Sequence, residues 1–117
     1  MTIRVLLVED EPLLAVELAD ELAEAGFKVV GPASSTARAL RLMDDTGCDA
    51  AVLDVNLGKE TSEAVALALR ESGTPFVVLS GYSSIELGAA FQGAPFLSKP
   101  VQWQQLVKTL NLALAVD

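Results

Sequence analysis

Ile3-Arg4-Val5-Leu6-Leu7-Val8 runs directly into Glu9-Asp10-Glu11 and then Pro12. Three further apolar runs end in the same way, each on a polar residue suited to phosphoryl chemistry. Ala50-Ala51-Val52-Leu53 meets Asp54, Phe76-Val77-Val78-Leu79 meets Ser80, and Phe96-Leu97-Ser98 meets Lys99-Pro100. Continuous apolar runs of this length, alternating with helical patterns, read as strands buried on both faces of a parallel sheet. In open parallel sheets ligands bind beyond the carboxyl ends of the strands. The rule gathers acids, a hydroxyl and a lysine at one edge of the fold.

Between these runs the pattern turns helical. Pro12 suits a first helical turn, where its missing N–H costs nothing. Leu14, Leu18 and Leu22 then recur as a core stripe, and Gly26 closes the helix. Lys28 to Val30 reads as a second strand ended by Gly31-Pro32. Ser34 or Ser35 caps a second helix with Ala39, Leu40 and Met43 inward. After Asp54 comes a loop, Val55 to Glu60. Thr61 or Ser62 then caps a third helix whose inward residues read as Val65, Leu67 and Leu69. Ser83 to Phe91 makes a short, weak fourth helix, and a last helix spans about Gln102 to Ala115. The whole chain, 1–117, reads as one five-fold βα array with no linker, repeat or output domain.

Bulk composition narrows the function. A chain of 117 residues, 51% apolar, can bury a real core. Its net charge of −8, with only eight Lys plus Arg and no cluster of them, weighs against nucleic-acid binding. The absence of histidine excludes His-based catalysis and His-ligated metals. The single cysteine, Cys48, cannot form an internal disulfide and reads as an inert packing residue, so a reducing, cytoplasmic setting is expected. No apolar run approaches membrane length.

The acids carry the chemistry. If Glu9, Asp10 and Asp54 converge, each pair about 4 Å apart repels by about 4 kcal/mol at an effective dielectric near 20. Lys99 alone cannot balance three carboxylates. A hard divalent cation can, and Mg²⁺ takes carboxylates, waters and a phosphate oxygen. Asp54 then reads as a carboxylate nucleophile of the aspartyl-phosphate kind. Lys99 can pair with it at rest and with a phosphoryl oxygen afterwards, and Ser80 can donate its hydroxyl to the same group. Taken singly, Asp54 is a cap, Ser80 a turn former and the acids a solvated loop. Four strand ends together make a site.

These stretches, Leu7-Val8-Glu9-Asp10-Glu11-Pro12, Leu53-Asp54-Val55-Asn56-Leu57-Gly58, Leu79-Ser80-Gly81-Tyr82 and Phe96-Leu97-Ser98-Lys99-Pro100, resemble the response-regulator receiver domain of two-component signalling. The resemblance implies an α/β fold, a flavodoxin-like doubly wound (βα)5 sandwich on a five-stranded parallel sheet of order 2-1-3-4-5. It implies that Asp54 accepts phosphate from a sensor histidine kinase or a histidine phosphotransfer protein. Glu9, Asp10, Asp54 and the Asn56 backbone carbonyl would bind Mg²⁺, and Ser80 and Lys99 would hold the phosphoryl group. Phe96 would be an aromatic switch coupled to Ser80. Gly81, Tyr82 and Pro100 flank the site, with a cis Lys99–Pro100 bond implied and Tyr82 placed to shield the acyl phosphate.

The chain departs from the family at Gly58, usually proline, which should loosen the loop over the site, and at Phe96, usually tyrosine. Its Ser80-Gly81-Tyr82 is similar to the Thr-Gly-Tyr signature of stand-alone alphaproteobacterial receivers. The implied function is a single-domain response regulator in a phosphorelay, a phosphoprotein that phosphorylates and dephosphorylates itself without turning over an external substrate. Its output would pass through the fourth helix, fifth strand and last helix to protein partners or a second copy, or it would act as a phosphate shuttle or sink. Trp103, Leu106, Val107, Leu110, Leu112 and Leu114 form an apolar set wider than one core stripe requires, and mark that face. The alternative is a phosphorylation-independent interaction module on the same fold. An FMN carrier is disfavoured because the acids after the first strand would repel its phosphate. A haloacid-dehalogenase-type phosphatase would want its Asp-x-Asp on the first strand, not the third.

Overall fold

The computed structural model describes residues 2–81 and 88–115. In chain order the elements are β1 (Arg4–Val8), α1 (Pro12–Glu24), β2 (Lys28–Ala33), α2 (Thr36–Asp45), β3 (Ala50–Asp54), β4 (Asn56–Leu57), β5 (Glu60–Thr61), α3 (Glu63–Glu71), β6 (Phe76–Ser80), β7 (Phe96–Ser98) and α4 (Trp103–Ala115). A 3-10 turn, Ala89–Phe91, precedes β7. The long apolar runs are strands because water reaches neither of their faces: every residue of β3 and of β6 is buried. They pair in parallel in the order β2-β1-β3-β6-β7. Counted over the five sheet strands alone this is 2-1-3-4-5, the expected doubly wound order.

Strand periodicity of two sends alternate side chains to opposite layers. Leu6, Val8, Leu53 and Val78 pack with Ala39 of α2 and with Val65, Ala66 and Leu69 of α3. Val5, Leu7, Val52, Val77 and Leu79 pack with Leu18 and Leu22 of α1 and with Leu106 and Leu110 of α4. Among the described residues two helices thus cover each face. At the end of α1, Gly26 (φ +98°) supplies the left-handed residue of a Schellman motif, in which the Gly26 and Phe27 N–H groups donate to the carbonyls of Ala23 and Leu22.

Several expectations change. The second strand does not stop at Gly31-Pro32 but continues to Ala33, with an irregularity opposite Leu6–Val8 and a cis Gly31–Pro32 bond. Gly31 stands at φ +105°, and a Cβ there would lie 2.8 Å from the Ala33 nitrogen, so only glycine fits. The continuation matters because the Ala33 carbonyl accepts from the Glu9 N–H at 3.0 Å. Leu67, expected inward, is 54% exposed, since it lies about 200° around a helix from Val65; Ala66 and Leu69 take the inward positions instead. The expected loop after Asp54 contains the small antiparallel hairpin β4–β5. Most of the expected fourth helix falls outside the described residues. Of the described part, Gly88 is extended and Ala89–Phe91 form the 3-10 turn.

Register aligns the working ends. Asp54 is opposite Leu79, and Ser80 is opposite Ser98. Glu9, Asp54, Ser80 and Lys99 therefore leave four adjacent strands at one edge.

Candidate functional site

Glu9 and Asp54 are 2% and 5% exposed, an unusual depth for two carboxylates side by side. Asp10 is half-buried next to them. One oxygen from each of the three lies within 4.8 Å of the other two. The Lys99 ammonium donates to Asp54 Oδ2 at 3.1 Å and to Glu9 Oε1 at 3.3 Å, reaching across the sheet edge from the loop after β7. Its backbone N–H donates to the Ser80 carbonyl at 3.0 Å, which fixes where the side chain starts. The Lys99–Pro100 bond is cis, as the resemblance implied.

Glu9 also accepts the Glu11 N–H on Oε2 at 3.0 Å. That bond occupies one of the free donors at the start of α1, where no side chain of the helix does so. Burial nevertheless pushes the Glu9 carboxyl up from its ordinary 4.5 to about 7, and the neighbouring Asp54 charge adds to the rise. For Lys99, burial works against the ammonium. The hydrogen bonds and charges of Asp54 and Glu9 outweigh that, so its pKa is raised. The three acids and one lysine make an excess of negative charge in a nearly dry place. Hard oxygen donors at this spacing suit Mg²⁺.

Ser80 is buried at the end of β6, and Gly81 follows it exposed. Phe96 is half-buried on the Val78 side of the sheet and is in register with Val78, two residues short of Ser80. Asn56 opens the β4–β5 hairpin and is paired with Thr61. Where the family usually has proline, Gly58 turns at φ +69°. A Cβ there would meet Asp10 Oδ2 at 3.7 Å, an ordinary contact, so the backbone turn and not the space selects glycine. The loop is held in another way. The Thr36 N–H donates to Glu60 at 2.8 Å, and the Thr36 hydroxyl donates to the Thr61 carbonyl at 3.0 Å. Hydrogen bonding from the Thr36 side chain and N–H to the Glu60 carboxyl holds it below its usual range. Tyr82 lies outside the described residues.

One participant escaped the sequence reading. Ser62 stands at the N-cap of α3 but does not cap it. Its hydroxyl turns back to donate to the Asp54 carbonyl at 2.6 Å, in a fully buried position. The only sequence signal, a serine before a helix, is also the signal for a cap. Replacing Ser62 by alanine leaves that carbonyl without its buried donor, and should cost about 1–2 kcal/mol in a urea unfolding titration. An unchanged midpoint would show that the bond does not position Asp54. Cys48, by contrast, is half-buried and burial pushes its thiol up, which makes it a poor nucleophile.

A family model described as the response regulator receiver domain matches residues 5–111. The chain belongs to the response regulator receiver domain family. The solution structure of SdrG from Sphingomonas melonis Fr1 is 41% identical to this receiver, with a TM-score of 0.83 over 98% of each chain. A response regulator receiver protein from Sinorhizobium medicae is 27% identical with a TM-score of 0.86, over 97% of this chain and 94% of that one. Among curated proteins, the transcriptional regulatory protein PdtaR of Mycobacterium tuberculosis is 29% identical over 116 residues, which is 96% of this receiver and 57% of PdtaR. The regulatory protein VirG of Agrobacterium tumefaciens is 30% identical, with 43% of its length covered. The receiver thus spans about half the length of the curated relatives it matches. Among its described residues no helix is long and apolar enough to cross a membrane.

Proposed function

We propose that this receiver acts in the cytoplasm, taking a phosphoryl group from a phosphohistidine onto Asp54 and later releasing it as inorganic phosphate. The carrying observation is the Lys99 ammonium 3.1 Å from a buried Asp54 oxygen, with Glu9 and Asp10 oxygens grouped beside it. A carboxylate held this way is aimed and only partly neutralised. Its oxygen attacks phosphorus, the P–N bond breaks, and the departing imidazole keeps the electron pair and takes up a proton. Water later attacks phosphorus, the bond to Asp54 breaks, and the carboxylate returns. The step turns over no external substrate; the protein is a signalling domain.

Glu9, Asp10 and Asp54, with the Asn56 backbone carbonyl, would hold Mg²⁺, which neutralises charge on the transferring phosphoryl oxygens. Lys99 would move its ammonium from Asp54 to a phosphoryl oxygen, and Ser80 would donate its hydroxyl to another. Drawing Ser80 toward the phosphate opens space on its sheet face, and Phe96, two register positions away, follows it inward. The surface of β7 and α4 then changes by population shift, and a partner protein reads the change.

Intact mass after incubation with acetyl phosphate and Mg²⁺ tests the reading. One phosphoryl adduct is expected, absent from Asp54→Asn and absent in EDTA. No adduct under conditions that label another receiver would leave the phosphorylation-independent interaction module.

A further inference from the structure

Part of the apolar excess of α4 faces α1. Leu106 and Leu110 are fully buried in the core, whereas Trp103, Val107 and Leu112 line a groove of about 670 Å³ between α4 and α1. Leu112 is 60% exposed at its rim. The opposite wall is acidic. Glu21 and Glu24 line this groove, and Glu17 lines a second cavity, of about 560 Å³, that shares Trp103 with the first. Glu17, Glu21 and Glu24 follow i, i+4, i+7 and so form one stripe along α1. The helix carries Asp20 as well and no basic residue at all. Across the groove the only charge among the described residues that line it is Lys108.

We propose that this groove binds a basic amphipathic helix of a partner protein. An apolar floor beside a single acidic wall suits a helix with apolar side chains on one stripe and Lys or Arg on the next. Three basic residues at i, i+4, i+7 on a helix lying along α1 match the spacing of its carboxylates. The same charge selects against other occupants. A second copy brings a further −8, and nucleic acid and anionic lipid are repelled by the same wall. The groove lined by Glu21, Glu24 and Leu112 lies along the helices rather than at the strand ends, so its occupancy is separable from phosphorylation of Asp54.

Trp103 is the chain's single tryptophan and lines both cavities, so its emission reports on this face. The probe is an 18-residue Leu/Lys helical peptide with lysines at i, i+4, i+7, set against a Leu/Glu peptide of the same pattern. The Leu/Lys peptide is expected to shift Trp103 emission to the blue in a saturable way. Affinity should fall at least tenfold in Glu21→Lys/Glu24→Lys and in Leu112→Asp, and should also fall with salt. Asp44→Lys/Asp45→Lys, on α2 across the sheet, should leave it unchanged. Equal loss in the α2 variant would reduce the effect to net charge and overturn the proposal. So would equal binding of the Leu/Glu peptide, or no binding. Sedimentation showing a dimer that Leu112→Asp dissolves would hand the groove to a second copy instead.

Discussion

Replacing Lys99 by methionine is expected to lower the stability of the metal-free domain by about 3 kcal/mol at pH 8. It should also slow phosphoryl uptake by Asp54 on the order of 10²-fold. Methionine keeps most of the side-chain volume, so packing changes little and the charge is what is lost. Lys99 is the cation within 3.3 Å of both Glu9 and Asp54, which are themselves buried. Without it two carboxylates face each other in a place where about 4 kcal/mol of repulsion is available at 4 Å. The chain limits that cost by protonating Glu9, whose carboxyl already sits at about 7. The penalty should therefore shrink at pH 5, where Glu9 holds a proton with or without Lys99. Urea titrations at the two pH values in EDTA measure the difference. A time course of adduct formation, read by mass, measures the rate. Equal stability of the two proteins at pH 8 would mean that the ammonium contributes only to chemistry.

The elements most legible in the sequence are those whose environment leaves one solution. β1, β3 and β6 are buried on both faces, so an unbroken apolar run is required and is easy to see. Their ends are polar for a functional reason, and the strand-end rule brings Glu9, Asp54, Ser80 and Lys99 together without side-chain detail. Features decided by local geometry were harder. Gly31-Pro32 looks like a stop, yet β2 passes through it because the kink carries Ala33 to the Glu9 N–H. Two-residue strands such as β4 and β5 are too short to show any period. Ser62 carries the signature of a cap, and its partner, the Asp54 carbonyl, is eight positions back across the hairpin. Leu67 fails because apolar residues at i and i+2 suit a strand, not a helix. The groove along α1 depends on two helices far apart in sequence, so the surplus of apolar residues on α4 was visible and its direction was not.

The metal-free domain is expected to lose about 3 kcal/mol of stability between pH 5 and pH 8, because each pH unit of displacement is worth about 1.4 kcal/mol and the Glu9 carboxyl rises from 4.5 to about 7 on folding. In that window the unfolded chain ionises Glu9 freely while the folded chain holds the proton, so the folded state binds more protons and stability falls as pH rises. Above pH 7 both states are ionised and the curve flattens. Lys99, whose pKa is raised, contributes stability that is lost only above its ordinary 10.5. The exposed carboxyls of Asp49 and Glu60 are lowered, and their contribution fades only in more acid solution. Glu9→Gln removes the dependence without removing the oxygen that accepts the Glu11 N–H. The variant should therefore be flat from pH 5 to 8 and more stable than the natural protein at pH 8. Mg²⁺ at about a hundred times its dissociation constant should restore about 2.7 kcal/mol to the natural protein at pH 8, and much less to Glu9→Gln. Parallel curves for the two proteins would place the buried charge elsewhere. The outcome expected here makes the site a strained one, in which the acids that would hold the ion weaken the fold until it arrives.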